Sequence, residues 1–267
     1  MKKRCDTKYP ILLVHGAGFR DDSRFYNYWG RIPKALTDEG ATIFYSGQDA
    51  WGSIEYNGTI IKERIEQVLK ITKAGKVNII AHSRGGLEAR YAITKLAMGK
   101  YVASLTTIST PHYGSKTMNI FYKFPKGLYR FVSSIVNLYF KVLGDKNPDF
   151  FTSSRQFSTY EAEIFNKNTP NDSSVLYQSY AAKMKKSLSD PLFVLTHLII
   201  SFFDGENDGL CPVASAKWGN YRGLITGKNF WGISHAGVID SYRFNYSGID
   251  LPEFYVNIVE GVKKENL

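Results

Sequence analysis

Apolar positions along the 267-residue chain fall into two alternating patterns. Short, continuous, largely β-branched runs at residues 11–15, 41–45, 76–82, 102–108 and 175–180 predict strands buried on both faces. Between them, residues 26–36, 57–73 and 85–98 carry apolar positions at helical spacing. In the second of these, Ile60, Ile61, Ile65, Val68 and Leu69 make one stripe, and Gly75 ends the helix. Strands that alternate with helices predict a mostly parallel sheet covered on both faces, an α/β class of the doubly wound kind.

The rhythm breaks after Ser109-Thr110-Pro111. Residues 118–143 read as helical and aromatic, with Phe124, Leu128, Phe131, Ile135, Leu138 and Val142 on one face. Arg130, Ser133, Ser134, Asn137 and Lys141 occupy the other face. Polar sequence rich in Asn, Pro and Asp then runs to Ser174. The first pattern resumes with a buried helix at 191–203, a weaker strand at 224–226 and a closing helix at 251–264. Repeats and low-complexity tracts are absent. The expected organisation is one domain over residues 1–267, interrupted by a helical insertion at 116–173.

One strand runs without pause into a helix at "NIIAHSRGGLEARY". A tight strand-to-helix turn forces its central residue into a strained backbone region, so the flanking positions must be small. Ala81 and Gly85 satisfy this around Ser83. The turn lifts the Ser83 hydroxyl above the sheet, and the helix behind it aims its first amides at any charge that forms there. A serine in this place is a nucleophile only if a base serves it. Of the five histidines, His15, His112 and His197 read as structural, and His82, next to the serine at a sharp turn, should point away from it. His235, in the loop "GISHAGVID" before the last helix, can reach back over the sheet edge as general base. The turn "FFDGENDGLCP" offers Asp204, Glu206 and Asp208 to orient that base, and position alone does not choose among them. "LLVHGAGF" ends the first strand in glycines, which leaves the Ala17 amide, with that of Arg84, to form an oxyanion hole. Gly16 and Gly18 lack the third glycine and the downstream acid of a dinucleotide loop, so no such cofactor is expected.

Composition adds limits. Hydrophobic residues make up 43% and charged residues 22%, ordinary for a globular protein. The formal net charge of +10 lies in no long basic block and no nucleic-acid motif, so nucleic acid is not an expected partner. Cys5 and Cys211 are expected to be free thiols rather than a disulfide framework. The basic start "MKKRCDTKYP" lacks the apolar core of a signal peptide, and no run is long enough to span a membrane. A cytoplasmic location is expected, or secretion if a leader has been removed.

Taken together, "VHGAGF", "YWGRIPKALTDEGATIFYS", "KVNIIAHSRGGLEARY", "VASLTTISTPHYGS" and "NDGLCPVASAKWG" resemble the bacterial triacylglycerol lipases of the α/β-hydrolase superfamily, of the Pseudomonas and Burkholderia type. The resemblance implies an α/β-hydrolase fold and a carboxylic ester hydrolase with a lipid or ester substrate. It implies Ser83 as nucleophile, His235 as base and Asp208 as the acid, with Ala17 and Arg84 as oxyanion donors. It also implies that the insertion is a lid over an acyl pocket, able to meet a lipid–water interface. Relatives often place an acidic calcium ligand two residues after the catalytic histidine; Gly237 stands there, which argues against calcium, and no zinc ligand set is visible. The same triad could serve an acyltransferase or thioesterase, and a non-catalytic lipid-binding protein of this fold is a third reading. Acyl-chain preference and oligomeric state have no signature in the sequence.

Overall fold

The computed structural model describes residues 3–21, 27–245 and 248–267. Its elements are β1 (Ile11–Val14), α1 (Ile32–Asp38), β2 (Ile43–Tyr45), α2 (Ile54–Thr72), β3 (Val77–His82), α3 (Gly85–Lys95) and β4 (Val102–Ile108). The insertion follows, with a 3-10 segment (Thr117–Tyr122), α4 (Lys126–Val142), α5 (Phe150–Arg155) and α6 (Thr159–Asn168). The chain closes with β5 (Leu176–Ala182), α7 (Val194–Phe203), α8 (Val213–Ala216), β6 (Asn220–Ile225) and α9 (Leu251–Lys264).

The strands form one sheet in the order β2-β1-β3-β4-β5-β6, and every pairing is parallel. Alternation along each strand divides its side chains between two layers. Leu12, Val14, Ile79 and Ala81 pack toward Ile61 and Ile65 of α2 and Ala89 and Ile93 of α3. Ile11, Leu13, Ile80 and Ile108 pack toward Ile32 and Leu36 of α1 and Tyr255 and Val259 of α9. Burial on both faces is why these strands read as continuous apolar runs.

The helix ends follow local chemistry. Ser53 caps α2 by accepting from the Tyr56 amide (3.2 Å), three residues before the start expected from spacing. The helix stops at Lys73, which takes the left-handed cap conformation (φ 58°), two residues ahead of Gly75. The first helix begins at Ile32 rather than at 26; residue 26 lies outside the described residues, and Pro33 fits the first turn. Strand β6 is longer than the expected 224–226.

Two larger differences concern the helices of the second half. The stretch from Asn147 to Ser174, in which the sequence reading placed no individual element, contains α5 and α6, started by the side chains of Asp149 and Ser158. These short helices bury few residues, so apolar periodicity carries no signal for them. Helix α7, expected to be buried, is not: Leu195 is 69% and Phe202 83% exposed, while His197 and Ile200 face inward. Helix α4 is also turned outward. Only Tyr129 and Ser133 are buried in it, and its apolar face of Leu128, Phe131, Ile135, Leu138 and Val142 meets solvent. Among the described residues, no helix is long and apolar enough to cross a membrane.

The insertion is fastened to the sheet layer by polar contacts. Asp204 accepts from Ser115 Oγ (2.8 Å) and from the Lys116 and Thr117 amides (2.7 and 3.0 Å). Buried Arg90 of α3 donates to Asn166 Oδ1 (2.9 Å) and to the Thr169 carbonyl (3.0 Å), with its guanidinium over the Trp218 ring.

Candidate active site

Strand β3 ends at His82, and Ser83 turns the chain with φ at 54°. A side chain in this left-handed region costs about 1–2 kcal/mol. Backbone contacts hold it there. The Ser83 amide donates to the Ile108 carbonyl of β4 (2.9 Å), and its carbonyl accepts from the Gly86 amide (3.1 Å) and Thr110 Oγ1 (2.7 Å). The turn fits only because three glycines give way. A Cβ on Gly85 would sit 2.3 Å from the His15 carbonyl oxygen, and one on Gly86 2.3 Å from Thr110 Oγ1. A Cβ on Gly16 would lie 2.7 Å from the Ser83 Cβ. The sequence pointed to Ala81 and Gly85; Gly16 and Gly86 come from loops and neighbours that only folding assembles.

His235 stands in the loop before a 3-10 turn (Gly237–Ile239). Its Nδ1 lies 2.8 Å from Asp208 Oδ2, and its amide donates to the Asp208 carbonyl (2.8 Å). The other carboxylate oxygen of fully buried Asp208 accepts from the amides of Leu210 (3.0 Å) and Cys211 (2.7 Å). A carboxylate so held accepts from His235, which puts the ring proton on Nδ1 and leaves Nε2 as an acceptor. The three acids offered by the sequence take separate places. Asp208 meets His235, Asp204 holds the insertion, and Glu206 pairs with Lys183 at the surface.

Ser83 and His235 line one cavity of about 740 Å³, together with Ala17. Phe19, Trp51, Met118, Phe157 and Phe193 supply much of its wall, and among the described residues no Asp, Glu, Lys or Arg side chain lines it. Met118 and Phe157 belong to the insertion. Ser83 and His235 share no direct hydrogen bond, a contact that tightens in enzymes of this chemistry once substrate is bound. The Ala17 and Arg84 amides donate to no acceptor among the described residues.

His82 contradicts the expectation that it points away. It lines the same cavity, with its ring centroid 4.4 Å from that of His235. Its Nδ1 is 2.6 Å from the Tyr28 hydroxyl, which also accepts from the Gly16 amide (2.8 Å). Burial holds His82 well below the ordinary imidazole range, and the neighbouring His235 and His15 add to this. Tyr28 is a site residue that periodicity could not reveal; its only sequence signal is the segment "YWGRI".

A buried polar net lies beneath the turn. The Arg84 side chain is fully buried and does not line the cavity, with Nε 2.9 Å from Glu88 Oε1. Glu88 also accepts from Asn57 Nδ2 (2.8 Å) and Gln48 Nε2 (3.2 Å), and Gln48 donates to the His15 carbonyl (2.9 Å). Burial raises the Glu88 carboxyl against the opposing pull of Arg84. The loop after β1 is tied to the insertion too. Gly18 donates to the Ala50 carbonyl (3.1 Å), and the Ala50 and Trp51 amides donate to the Asp145 carboxylate (both 2.9 Å). Arg20 donates to the Gly144 carbonyl and stands 3.5 Å from Asp145.

Among the described residues, no group of three or more His, Cys, Asp or Glu side chains is placed to hold a metal ion. Gly237, at the place of the relatives' calcium ligand, offers no side-chain oxygen. Both cysteines are buried free thiols; burial pushes Cys5 up to about 11 and Cys211 well above the usual thiol range.

Residues 44–189, more than half of the chain, match the family described as "Putative serine esterase (DUF676)". The chain belongs to this serine esterase family. Among its curated relatives, triacylglycerol lipase 2 of Saccharomyces cerevisiae is 31% identical over 228 residues, 83% of this chain and 63% of that protein. The triacylglycerol lipase of Burkholderia plantarii is 32% identical over 177 residues, 62% of this chain and 49% of that protein. The chain thus spans about half to just under two thirds of the length of these relatives. Among solved structures, Staphylococcus hyicus lipase superposes with a TM-score of 0.74 at 18% identity, covering 98% of this chain and 97% of that one. A metagenomic carboxyl esterase gives 0.75 at 16% identity, covering 97% and 76%. These likenesses give the fold, which is the α/β-hydrolase arrangement. The matched span holds the turn at Ser83 and the whole insertion, while Asp208 and His235 lie beyond it.

Truncating Glu88 to alanine would strand the buried Arg84 guanidinium, so Glu88→Ala should lose about 3–5 kcal/mol in urea unfolding, and Glu88→Gln distinctly less. An unchanged urea midpoint for Glu88→Ala would remove the net from any structural role.

Acid should also weaken the fold. His82 and His112 are both held well below the ordinary imidazole range, chiefly by burial. The unfolded chain takes up protons near pH 6.5 that the fold refuses, so this stability is present above that pH and lost below it. The loss should approach about 1.4 kcal/mol per pH unit for each histidine. Glu88 and Asp145, whose carboxyls are raised by burial, act in the opposite sense at the acid end. Thermal unfolding between about pH 8 and about pH 5 reads the balance; a midpoint that does not fall below about pH 6.5 contradicts this account.

Proposed function

We propose that the protein is a carboxylic ester hydrolase of the lipase type, acting through Ser83, His235 and Asp208. The observation that carries this reading is the Asp208–His235 pair at 2.8 Å, whose imidazole shares an aromatic-walled cavity with a serine on a strained turn. Ser83 Oγ attacks the ester carbonyl carbon while His235 Nε2 takes its proton. The carbonyl oxygen becomes an oxyanion, and the Ala17 and Arg84 amides donate to it. As the intermediate collapses, the carbon–alkoxy bond breaks and His235 passes its proton to the departing alcohol. Water then attacks the acyl-enzyme, again with His235 as base, and releases the acid and free Ser83. Asp208 keeps the imidazole oriented and balances its charge in both halves.

The described lining of the cavity of about 740 Å³ is largely apolar and aromatic, which favours an ester with a sizeable acyl chain, as in a triacylglycerol. We read the insertion at 116–173 as a lid. Its outward apolar helix α4 has more to gain at a lipid surface than in water, so opening would be favoured there.

Hydrolysis of p-nitrophenyl esters and of triglyceride emulsions tests the whole reading. Ser83→Ala should lower kcat roughly 10⁴-fold or more with the fold intact, and Asp208→Asn roughly 10⁴-fold. The wild-type rate should rise sharply once substrate passes its solubility limit. Near-normal turnover by Ser83→Ala would sink the nucleophile assignment, and equal rates across the limit would make the protein an ordinary esterase.

A further inference from the structure

Tyr28 and His82 line the cavity but have no part in the chemistry proposed above. Both are buried. The Tyr28 ring packs on His15 at 5.6 Å between centroids and edge-on against Trp29 at 5.3 Å. The fold rather than a ligand therefore sets the place of its hydroxyl.

Three parts of the site converge at that place. A Cβ on Gly16 would lie 2.7 Å from both the Tyr28 hydroxyl oxygen and Ser83 Cβ, and 3.3 Å from Ser83 Oγ. The Gly16 amide donates to the hydroxyl (2.8 Å), and His82 Nδ1 stands 2.6 Å from the same oxygen. Each of these two partners is one residue away from a group that the mechanism uses. Gly16 precedes Ala17, an oxyanion donor, and His82 precedes Ser83, the nucleophile. His82 also lies ring against ring with His235, at 4.4 Å and 46°. Burial keeps His82 uncharged, so it does not repel the imidazolium that His235 becomes during turnover. A neutral imidazole can accept the hydroxyl proton at Nδ1.

We propose that Tyr28 and His82 are positioning residues: a hydrogen-bonded brace from Gly16 through the Tyr28 hydroxyl to His82 holds the Ala17 amide and the His235 ring in place around Ser83. The inference deepens the proposed ester hydrolysis and rests on it. A tyrosine kept for packing alone would not need its oxygen, since phenylalanine fills nearly the same space. A brace needs the oxygen, and its loss falls on the transition state, because donors that drift no longer meet the charge as it develops.

The test uses the full chain with p-nitrophenyl butyrate, a soluble ester, and a p-nitrophenyl phosphonate whose phosphonyl oxygen takes the place of the oxyanion. Losing an oxyanion donor outright costs about 10²–10³ in rate, and misplacing one should cost less. Tyr28→Phe should lower kcat roughly 10- to 100-fold, leave KM within about twofold and slow phosphonylation by a similar factor. Thermal unfolding checks that the fold survives. His82→Leu offers Tyr28 no acceptor and should also lose kcat. His82→Gln keeps an acceptor and should recover at least about fivefold over His82→Leu. In the double variant Tyr28→Phe/His82→Leu, kcat should fall no more than about twofold below the worse single, because both substitutions break one brace. Should His82→Leu not fold, the kcat, KM and phosphonylation of Tyr28→Phe decide alone. Wild-type kcat in Tyr28→Phe, a loss confined to KM, or losses that multiply in the double variant overturn the inference. Activity that Ser83→Ala removes and Tyr28→Phe spares refutes the brace alone. A wild-type protein that hydrolyses no ester and resists the phosphonate refutes the catalytic reading, and the brace with it.

Discussion

The structure depends on how closely the turn at Ser83 approaches the end of β1. Parallel strands β1 and β3 run side by side, with Val14 opposite Ala81, so the loops that leave them meet directly above the sheet. There is no room for a side chain on Gly16 or Gly85 at that meeting, and none on Gly86 against Thr110. The close approach places the loop that carries Ala17 beside the turn at Ser83. It also explains why an unfavourable left-handed φ persists at Ser83: neighbours on β4 and in the following loop accept and donate around its backbone, and the helix behind it cannot shift outward without opening the core.

Beneath the turn, polar burial takes over from apolar packing. Arg84, Glu88, Asn57, Gln48 and His15 form a water-excluded chain that links α3, α2 and the loop after β1. Such a net is weak evidence for high stability, because desolvation offsets much of the attraction. Its effect is on geometry: the residues on either side of the oxyanion position are held by partners that tolerate little displacement. Asp145 extends the same logic to the insertion. Through the Ala50 and Trp51 amides and Arg20, the end of α4 is mechanically connected to the loop that carries Ala17. A movement of the helix would therefore be felt in the loop that lines the cavity beside Ser83.

Outside this centre the molecule inverts the usual rule of apolar inside and polar outside. The core is complete without α4 and α7, as the two layers of helices around the sheet already enclose it. Polar contacts through Asp204 and Arg90 fasten the insertion, beside the packing of Phe140 and Phe150 on Trp51. The apolar stripes that remain outside are thus hydrophobic surface that the fold leaves uncovered.

The sequence by itself determined the parallel sheet, the covering helices of the first half, and the identity of the turn at Ser83, because a strand buried on both faces and a helix with one buried stripe each leave a local, periodic record. It narrowed the base to His235 among five histidines and the acid to three candidates in one turn. Tertiary structure decided the rest. Asp208 rather than Asp204 or Glu206 meets His235 because of where the backbone folds back, a distance of 27 residues that no local pattern encodes. His82 turns into the cavity because Tyr28 reaches its ring from another loop. For α4 and α7, periodicity recorded that each helix has an apolar face, but not which way the face looks. That direction is set by what the rest of the chain leaves uncovered, and only the assembled layers define it.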